Sequence, residues 1–231
     1  MLAMDVMTQN VCTVAPETPV AEIASILLRR QISAVPVVTA AGQLVGIVSE
    51  GDLMRRPEIG TTRRVPWWLE LLSTRSEMAA DFVKAHGRVA QDVMTVNVVT
   101  VPETASLAEI ASILEKRRIK RVPVVREGKV VGIVSRGNLL QGLAAGARKS
   151  PSKTVVKDGE LRESILARLK DQPWSNTFAI NVVVTDGTVH LWGLVESEEE
   201  RAAVRVVAEE VPGTRAVEDH LSIIRSLSYA V

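Results

Sequence analysis

Two short polar segments carry residue types that can bind the hydroxyl groups of a sugar. The first is Ser49-Glu50-Gly51-Asp52 and the second is Ser135-Arg136-Gly137-Asn138, and each follows an apolar run. A hydroxyl, a flexible glycine and a carboxylate or amide at the end of a strand can accept hydrogen bonds from a ribose. We call these segments hook one and hook two, and we expect each to open a short helix.

The two hooks belong to an internal repeat. Val35 to Leu53, VPVVTAAGQLVGIVSEGDL, recurs as VPVVREGKVVGIVSRGNL from Val122 to Leu139. The copies start further back, at Asp5-Val6-Met7-Thr8 and Asp92-Val93-Met94-Thr95. The apolar runs in both copies are short, β-branched and bounded by glycine, which predicts buried strands.

A strand and a helix are predicted ahead of these runs in each copy. Val11–Val14 and Val98–Val101 should form short strands. Thr18 should cap the first helix, with Pro19 at its first position, and Ser106 to Glu109 fits a capping box for the second. Each helix has one apolar stripe, formed by Ile23, Ile26 and Leu27 and by Ile110, Ile113 and Leu114.

The resulting β-α-β-β-α unit cannot bury both of its faces alone. We therefore expect the two copies to pack together about a pseudo-twofold axis, which would create two related clefts. Repeat one covers residues 5–56 and repeat two residues 91–143, so that the pair fills residues 1–145. The fold class is α/β in the broad sense, with α+β character.

Residues 57–90 between the copies are predicted to be a helical insert. Pro66-Trp67-Trp68-Leu69 and the apolar residues after it recur at helical spacing, and His86-Gly87 resembles a helix end. Trp67 and Trp68 would lie either on an interface or over a satellite core. The basic residues Arg55, Arg56, Arg63 and Arg64 would reach a phosphate or form a solvated face.

The C-terminal part has a different pattern. Residues 146–157 are small, basic and interrupted by Pro151, which predicts a linker. Residues 158–225 then read as α-β-β-α-β, with a helical stripe of Leu161, Ile165 and Leu169. Asp186-Gly187 predicts a two-residue hairpin turn, and Ser197 to Glu200 a capping box. We expect a small sheet covered on one face by two helices.

The string VPVV…G-I-V-S-x-G-D/N and the order of elements resemble the CBS-domain family, in which two copies form a Bateman module. The resemblance implies clefts that bind an adenosine-containing ligand such as AMP, ATP or S-adenosylmethionine. It also implies that each cleft combines the hook of one copy with the first strand and the residues before PVV of the other. CBS pairs frequently form homodimers, so a homodimer is expected.

Carrying this resemblance onto the sequence gives two unequal sites. The main cleft would contain Ser49, Asp52, Ile47, Gly51, Thr100, Lys120, Arg121 and Val122. The weaker cleft would contain Ser135, Asn138, Ile133, Thr13, Ser33, Ala34 and Val35.

The main cleft has a carboxylate for the ribose hydroxyls and cations for a phosphate, whereas the weaker cleft has neither. A charge-assisted hydrogen bond contributes about 1.5 to 3 kcal/mol, so its loss lowers affinity roughly tenfold or more. The Asp52 cleft should therefore bind more tightly. The alternative role for Asp52 is to cap the helix that follows it.

The string V-x-D-G-x-V-x-L-x-G-x-V from Val184 to Val195 and the later P-G-x-x-x-V resemble the BON domain. That resemblance implies binding of phospholipid or envelope components and of partner proteins. His190 and Trp192 should project from the face opposite the core, near Trp174. They would form either an exposed aromatic patch or a single surface tryptophan beside a stray histidine.

Composition excludes several classes of protein. The net charge of +1 argues against a general nucleic-acid binder, and the single cysteine and three scattered histidines predict neither a disulfide nor a metal cluster. The start MLAMDVMTQNV lacks a basic segment followed by an apolar core, so we expect a cytoplasmic protein without an export signal.

Catalytic motifs are also absent from the sequence. We find no G-x-S-x-G elbow, catalytic triad, P-loop or dinucleotide fingerprint, so no catalytic residue and no cofactor is predicted. The favoured function is a non-enzymatic sensor that relays adenosine-ligand binding to the BON domain. Two alternatives stay open: a ligand-free dimerisation scaffold whose BON domain contacts a protein or a phospholipid surface, and a nucleic-acid binder acting through Lys120-Arg121 and the linker.

Overall fold

The computed structural model describes residues 1–54, 82–146 and 155–224. The predictions for Arg55, Arg56, Arg63, Arg64, Trp67 and Trp68, and for most of the linker, lie outside these ranges. The chain forms two compact units. One, the N-terminal-copy unit, comprises Cys12–Val99 and Glu127–Val130, and the other, the C-terminal unit, comprises Met1–Val11, Thr100–Arg126 and Val131–Val231.

The named helices and strands follow the predicted order closely. They are α1 (Ala3–Val6), α2 (Val20–Arg30), β1 (Ala34–Val38), β2 (Leu44–Ser49), α3 (Glu50–Leu53), α4 (Ala90–Val93), α5 (Leu107–Lys116), β3 (Arg121–Arg126), β4 (Lys129–Ser135), α6 (Arg136–Gly146), α7 (Val155–Lys170), β5 (Ile180–Thr185), β6 (Thr188–Val195), α8 (Glu198–Glu209) and β7 (Ala216–Ile223). Residues 82–86 are also helical.

Copy one is built on an antiparallel hairpin of β1 and β2, in which Ala34 lies opposite Ser49. The apolar stripe of α2 packs on this hairpin, and its members Ile23 and Leu27 are buried together with Val35, Val37 and Val48. Copy two repeats the hairpin with β3 and β4, and α5 buries Ile110 and Leu114. The β-branched runs are therefore buried strands, as predicted.

Of the helix caps predicted for α2 and α5, the one at α5 is confirmed and the one at α2 is wrong. The Oγ of Ser106 accepts a hydrogen bond from the Glu109 N–H (3.2 Å), so it caps α5 as expected. Thr18 does not cap α2, because its hydroxyl accepts from the Ala15 N–H (3.0 Å) and so closes the turn before the helix. Helix α2 consequently starts at Val20 with Pro19 as its N-cap residue.

The predicted first strands are shorter than expected. Val14 forms a single parallel bridge to Val37, and Val101 forms the equivalent bridge to Val124. Pro16 and Pro102 follow these positions, and proline lacks the N–H that a longer ladder would require. Each first strand is therefore a one-bridge contact at the edge of its sheet.

The start of each copy pairs with the other copy's second strand. In the C-terminal unit, Thr8 exchanges backbone hydrogen bonds with Ile133 (3.0 Å in both directions). In the N-terminal-copy unit, Thr95 exchanges them with Ile47 (2.9 and 3.1 Å). The repeat therefore exchanges its leading segments, and each compact unit contains residues from both copies.

The C-terminal domain has the predicted α-β-β-α-β order. Its three-stranded sheet has the order β5-β6-β7, with β5 and β6 antiparallel and β6 and β7 parallel. Asp186 and Gly187 form the hairpin turn with φ angles of 52° and 75°, which explains the glycine. Helices α7 and α8 cover one face, where Leu161, Ile165, Leu169, Val204 and Ala208 are buried.

The other face of this sheet is covered along β5. Helices α1 and α6 lie against β5, so the prediction of a sheet covered on one face only is incomplete. Asn181 and Val183 alternate with the core residue Val182 and are also buried, at 6 % and 0 % exposure. In the part of the chain that the structure describes, no helix is both long enough and apolar enough to span a bilayer.

Candidate functional site

Hook one lies where β2 ends and the short helix α3 begins. The Asp52 Oδ2 accepts hydrogen bonds from the Ser49 N–H (2.9 Å) and from the Ser49 Oγ (2.6 Å). Both side chains are half-buried. The Glu50 N–H donates to the Ser33 carbonyl (3.1 Å), so the residue before Ala34-Val35 lies beside the hook of its own copy.

The helix-cap role that the sequence allowed for Asp52 is therefore real. Every hydrogen bond found for its carboxylate within residues 1–54, 82–146 and 155–224 uses Oδ2. The second oxygen, Oδ1, remains for a hydroxyl donor, and a carboxylate oxygen can accept more than one hydrogen bond. Capping and ligand binding are consequently compatible at Asp52.

Hook two has the same local fold but a different environment. The Asn138 Oδ1 accepts from the Ser135 N–H (2.8 Å) and Oγ (2.7 Å), as Asp52 does from Ser49. Asn138 is only 5 % exposed, however, and its Nδ2 donates to the Val6 carbonyl (3.0 Å). A carboxylate could not make that donation, so packing explains why this hook ends in asparagine rather than aspartate.

The other predicted ligand residues occupy varied positions. The Val35 and Val122 side chains are fully buried in their own hairpins (0 % exposed), whereas Thr13, Thr100 and Lys120 are exposed. The Lys120 carbonyl accepts from the Arg136 N–H (3.3 Å), the counterpart of the contact between Ser33 and Glu50.

The residues predicted to share a cleft belong to different compact units. Ile47, Ser49, Gly51 and Asp52 belong to the N-terminal-copy unit, and Thr100, Lys120, Arg121 and Val122 to the C-terminal unit. Ile133, Ser135 and Asn138 are likewise divided from Thr13, Ser33 and Val35. The structure shows each hook and its helix cap. The pairing of each hook with residues of the other copy stays a prediction from the resemblance.

Sequence reasoning missed a buried polar cluster around the Val6 carbonyl. This carbonyl accepts from the Nδ2 of Asn138 and also from the Nδ2 of Asn181 (3.0 Å each). The Asn181 Nδ2 donates in addition to the Gln141 Oε1 (2.6 Å). One backbone carbonyl of the N-terminal segment (Met1–Val11) therefore bonds both hook two and the C-terminal sheet.

Arg162 adds a second connection to the same segment. Its Nε donates to the Val182 carbonyl (2.7 Å) and its Nη2 to the Met7 carbonyl (2.6 Å). The side chain is 3 % exposed, and burial lowers the pKa of Arg162 to about 10, which leaves it protonated at neutral pH. The polar Asn181 within the apolar run Ile180–Val184 was a sequence signal for a buried polar cluster, but it does not identify the backbone carbonyl that Asn181 contacts.

His190 was predicted to lie at the surface, either in an exposed aromatic patch or as a stray histidine beside a surface tryptophan, and both predictions are wrong for this residue. His190 is 3 % exposed, so it contributes to no exposed aromatic patch and is no stray surface residue. Its Nδ1 lies 3.3 Å from the Glu218 Oε2, because the parallel pairing of β6 and β7 puts the two residues opposite each other. Trp174 is separately 40 % exposed.

A hairpin packed on one helix and ending in a capped polar hook, present twice, defines a pair of CBS domains. The CBS domain family model matches residues 3–58 and 89–145. The BON domain family model matches residues 157–225, which include α7 to β7. The chain therefore carries a CBS domain pair followed by a BON domain, as its sequence motifs predicted.

Known proteins resemble the CBS part of the chain. The CBS domain-containing protein CBSX2, chloroplastic, of Arabidopsis thaliana is 30 % identical over 152 residues, which are 63 % of this chain and 64 % of that protein. An uncharacterised protein of Methanocaldococcus jannaschii is 29 % identical over 154 residues, 62 % of this chain and 91 % of its own length. The chain thus spans less than two thirds of the plant relative.

Solved structures show the same likeness. The crystal structure of CBSX2 in complex with AMP matches with a TM-score of 0.54 and 29 % identity, covering 62 % of this chain and 96 % of that one. A second structure of CBSX2 from Arabidopsis thaliana matches with a TM-score of 0.50 and 29 % identity, covering 64 % and 98 %. The similarity is therefore to a CBS pair that has been crystallised with an adenine nucleotide.

Proposed function

We propose that this protein is a non-enzymatic regulatory module whose CBS pair binds an adenosine-containing ligand and signals to its BON domain. The observation that carries the proposal is the hook at Ser49 and Asp52, a half-buried carboxylate with one oxygen engaged in the helix cap. The AMP-bound structural relative supports an adenine nucleotide as the class of ligand.

In the proposed site, Asp52 accepts hydrogen bonds from the ribose hydroxyls. The same side of the proposed site is completed by three other residues of hook one and its strand, Ser49, Ile47 and Gly51. The exposed Lys120 and the half-buried Arg121 bind the phosphate, which their charge suits. Hook two is the weaker site, since Asn138 already uses both its oxygen and its nitrogen in internal hydrogen bonds.

The test is a thermal-shift panel of AMP, ADP, ATP, NAD and S-adenosylmethionine on the full chain. At a ligand concentration about 100 times the dissociation constant, binding should add about 2.7 kcal/mol to the free energy of unfolding. We expect a shift for at least one compound in the wild type and none in Asp52→Ala. Each variant is compared with its own melting temperature without ligand, because losing the cap alone lowers stability by about 1 kcal/mol.

Asp92→Ala is the matched control. Asp92 stands at the third position of the four-residue helix α4 and its Oδ2 accepts from the Arg88 N–H (3.0 Å) and the Val89 N–H (3.3 Å), so it is the same kind of cap in the same unit. The control should keep the ligand-induced shift. Absence of a shift with every compound, or a shift that persists in Asp52→Ala, would refute nucleotide binding at hook one.

The hydrogen bonds to the N-terminal segment support a route from the CBS pair to the BON domain. Thr8 pairs with Ile133 in the strand that leads to hook two, and Val6 and Met7 bond to Asn181 and Arg162 of the BON domain. Arg121 of the proposed site begins β3, which pairs with β4, the strand before hook two. A ligand that displaces this hairpin would therefore move a segment that the BON domain also holds. Regulation requires that the ligand prefer one arrangement, since equal affinity for both shifts nothing.

Hydrogen–deuterium exchange with and without the ligand found in the panel tests this route. We expect binding to alter exchange in Met1–Val11 and in β5. Helix α8 is the internal reference, because its cap and core contacts lie within the BON domain. Unchanged exchange in β5 would mean that the BON domain receives no signal.

The scaffold alternative becomes the better description if no compound binds. The CBS pair would then serve as a dimerisation platform, with the BON domain contacting a protein or a phospholipid surface. The proposed homodimer is checked separately by analytical ultracentrifugation of the full chain. A monomer at all concentrations would exclude the platform role.

A further inference from the structure

We propose that His190, Glu218 and His220 form a binding site for a divalent transition metal ion, with Zn²⁺ as the best fit. The three residues belong to the BON domain and have no part in the hooks. His190 lies on β6, whereas Glu218 and His220 lie on β7, which is far from β6 in the sequence. Strand register alone brings them together.

The register of β6 and β7 makes this arrangement. His190 lies opposite Glu218 and Trp192 lies opposite His220 in the parallel pair. Side chains alternate along a strand, so these four residues share one face, while Val189 and Leu191 point into the core on the other. Two imidazoles and a carboxylate are thereby presented on neighbouring strands of a hydrogen-bonded sheet.

The distances fit metal coordination. The Glu218 Oε2 lies 3.3 Å from the His190 Nδ1 and 3.6 Å from the His220 Nε2, and one ligand atom from each of the three residues falls within 4.8 Å of the others. Zinc bonds of about 2.0 to 2.2 Å place neighbouring ligand atoms about 3.4 Å apart in a tetrahedron. Two edges of such a tetrahedron are already present, and the third separation, between nitrogens of His190 and His220, is within 4.8 Å.

The surroundings hold the ligands in position. The Trp192 ring stacks on the His220 ring, with centroids 4.0 Å apart and an interplanar angle of 15°. His190 is 3 % exposed and sits on the central strand of the sheet. Ligands that are carried on strands and packed by neighbours keep their geometry better than ligands on loops.

The outer side of the cluster is open to solvent. The side chains of Glu218 and His220 are 25 % and 35 % exposed, so an ion can enter from this side and a water can complete its coordination. Two histidines, one glutamate and a water form a known tetrahedral zinc set. Imidazole and carboxylate ligands also accept Co²⁺, which provides a coloured probe.

The simplest competing arrangement is a carboxylate that hydrogen-bonds two imidazoles without any metal. Titration calorimetry of the EDTA-treated, dialysed full chain with ZnCl₂ separates the two. We expect binding of one ion per chain. We also expect the Co²⁺-loaded protein to show the intense visible absorption of tetrahedral cobalt, which an ion bound loosely at the surface lacks.

Two variants assign the ligands, and one controls for them. His220→Ala and Glu218→Gln should each weaken Zn²⁺ binding at least tenfold, and both positions are exposed enough for the fold to survive. His86→Ala should bind as the wild type does, since His86 is the remaining histidine of the chain and stacks on Phe82.

Circular dichroism of each metal-free variant verifies the fold, and a variant that does not fold is replaced by His220→Gln. Three results would overturn the proposal: no binding by the wild type, octahedral cobalt spectra, or affinity unchanged in both His220→Ala and Glu218→Gln. Loss of binding in His86→Ala to the same extent would also overturn it. None of these outcomes depends on nucleotide binding by the CBS pair.

Discussion

The two hooks have nearly the same sequence and the same local fold, yet they are used differently. In both, the fourth residue accepts hydrogen bonds from the backbone N–H and the Oγ of the first, Ser49 in one and Ser135 in the other. Asp52 is half-buried, whereas Asn138 is 5 % exposed and donates to the Val6 carbonyl. The shared motif therefore serves as a cap in both copies, and the fourth residue of hook two also bonds to the N-terminal segment.

The difference depends on the side-chain NH2 group of Asn138, which replaces a carboxylate oxygen of Asp52. The Val6 carbonyl accepts one hydrogen bond from Asn181 and a second from Asn138, and an amide can donate the second where a carboxylate cannot. This carbonyl belongs to the N-terminal segment, in which Thr8 pairs with Ile133 of β4. The hydrogen bond from Asn138 to the Val6 carbonyl accounts for asparagine at the position where hook one has aspartate. A change of ligand is not needed to explain it.

Asn138→Asp should have the largest effect on stability. A carboxylate at this position would face the Val6 carbonyl without a donor, and would also lose the contact with Gln141. The Val6 carbonyl would keep only the hydrogen bond from Asn181. We expect the free energy of unfolding to fall by about 3 kcal/mol, since a lost hydrogen bond costs about 0.5 to 1.5 kcal/mol and burying a carboxylate against a carbonyl oxygen adds to that. Urea denaturation of the full chain measures it, and a loss smaller than that of Asp52→Asn would contradict the comparison.

The paired glycines before the hooks should give a smaller, unequal effect. A Cβ at Gly132 would overlap the side chain of Met7, and a Cβ at Gly46 that of Met94. Met7 is 2 % exposed and Met94 half-buried, so Met94 can move aside more easily. We expect Gly132→Ala to lower stability by about 1 to 3 kcal/mol and Gly46→Ala by less.

The two alanine variants control for each other, because they make the same change at equivalent positions of the repeat. Their unfolding midpoints in urea should differ in the stated order. The opposite order would show that packing of the leading segments does not distinguish the two copies.

Asp52→Asn should have the smallest effect on stability and a clear one on binding. An asparagine Oδ1 can accept both hydrogen bonds from Ser49, as Asn138 does from Ser135, so stability should change by less than about 1 kcal/mol. Affinity for the nucleotide should fall roughly tenfold, because a charge-assisted hydrogen bond to the ribose is lost. Calorimetry with AMP measures this, and equal affinity in the wild type and the variant would mean that Asp52 is only a cap.

Local patterns predicted most of the fold. The buried hairpins, the Ser106 cap and the Asp186-Gly187 turn follow from short-range rules of periodicity and backbone conformation. One error is a local competition that these rules do not resolve. Thr18 could cap a helix or close a turn, and it bonds to Ala15 instead of capping α2.

The candidate site was predicted in part. The Ser49 and Asp52 hook could be read from its residue types and its position after a strand. The contacts of Asn138, Asn181 and Arg162 could not, since their partners are backbone carbonyls of Val6, Val182 and Met7. A carbonyl has no residue type, so nothing in the sequence distinguishes one from another.

The sequence by itself determined that this chain contains a repeated α/β unit with two polar hooks and a different α-β-β-α-β domain after it. Each of those features depends on residues close together in the chain. Only the tertiary structure decided that the leading segments exchange partners between copies, that Val6 binds both Asn138 and Asn181, and that Glu218 lies between His190 and His220. These contacts depend on strand register and domain docking, which are set by burying whole faces rather than by any short motif.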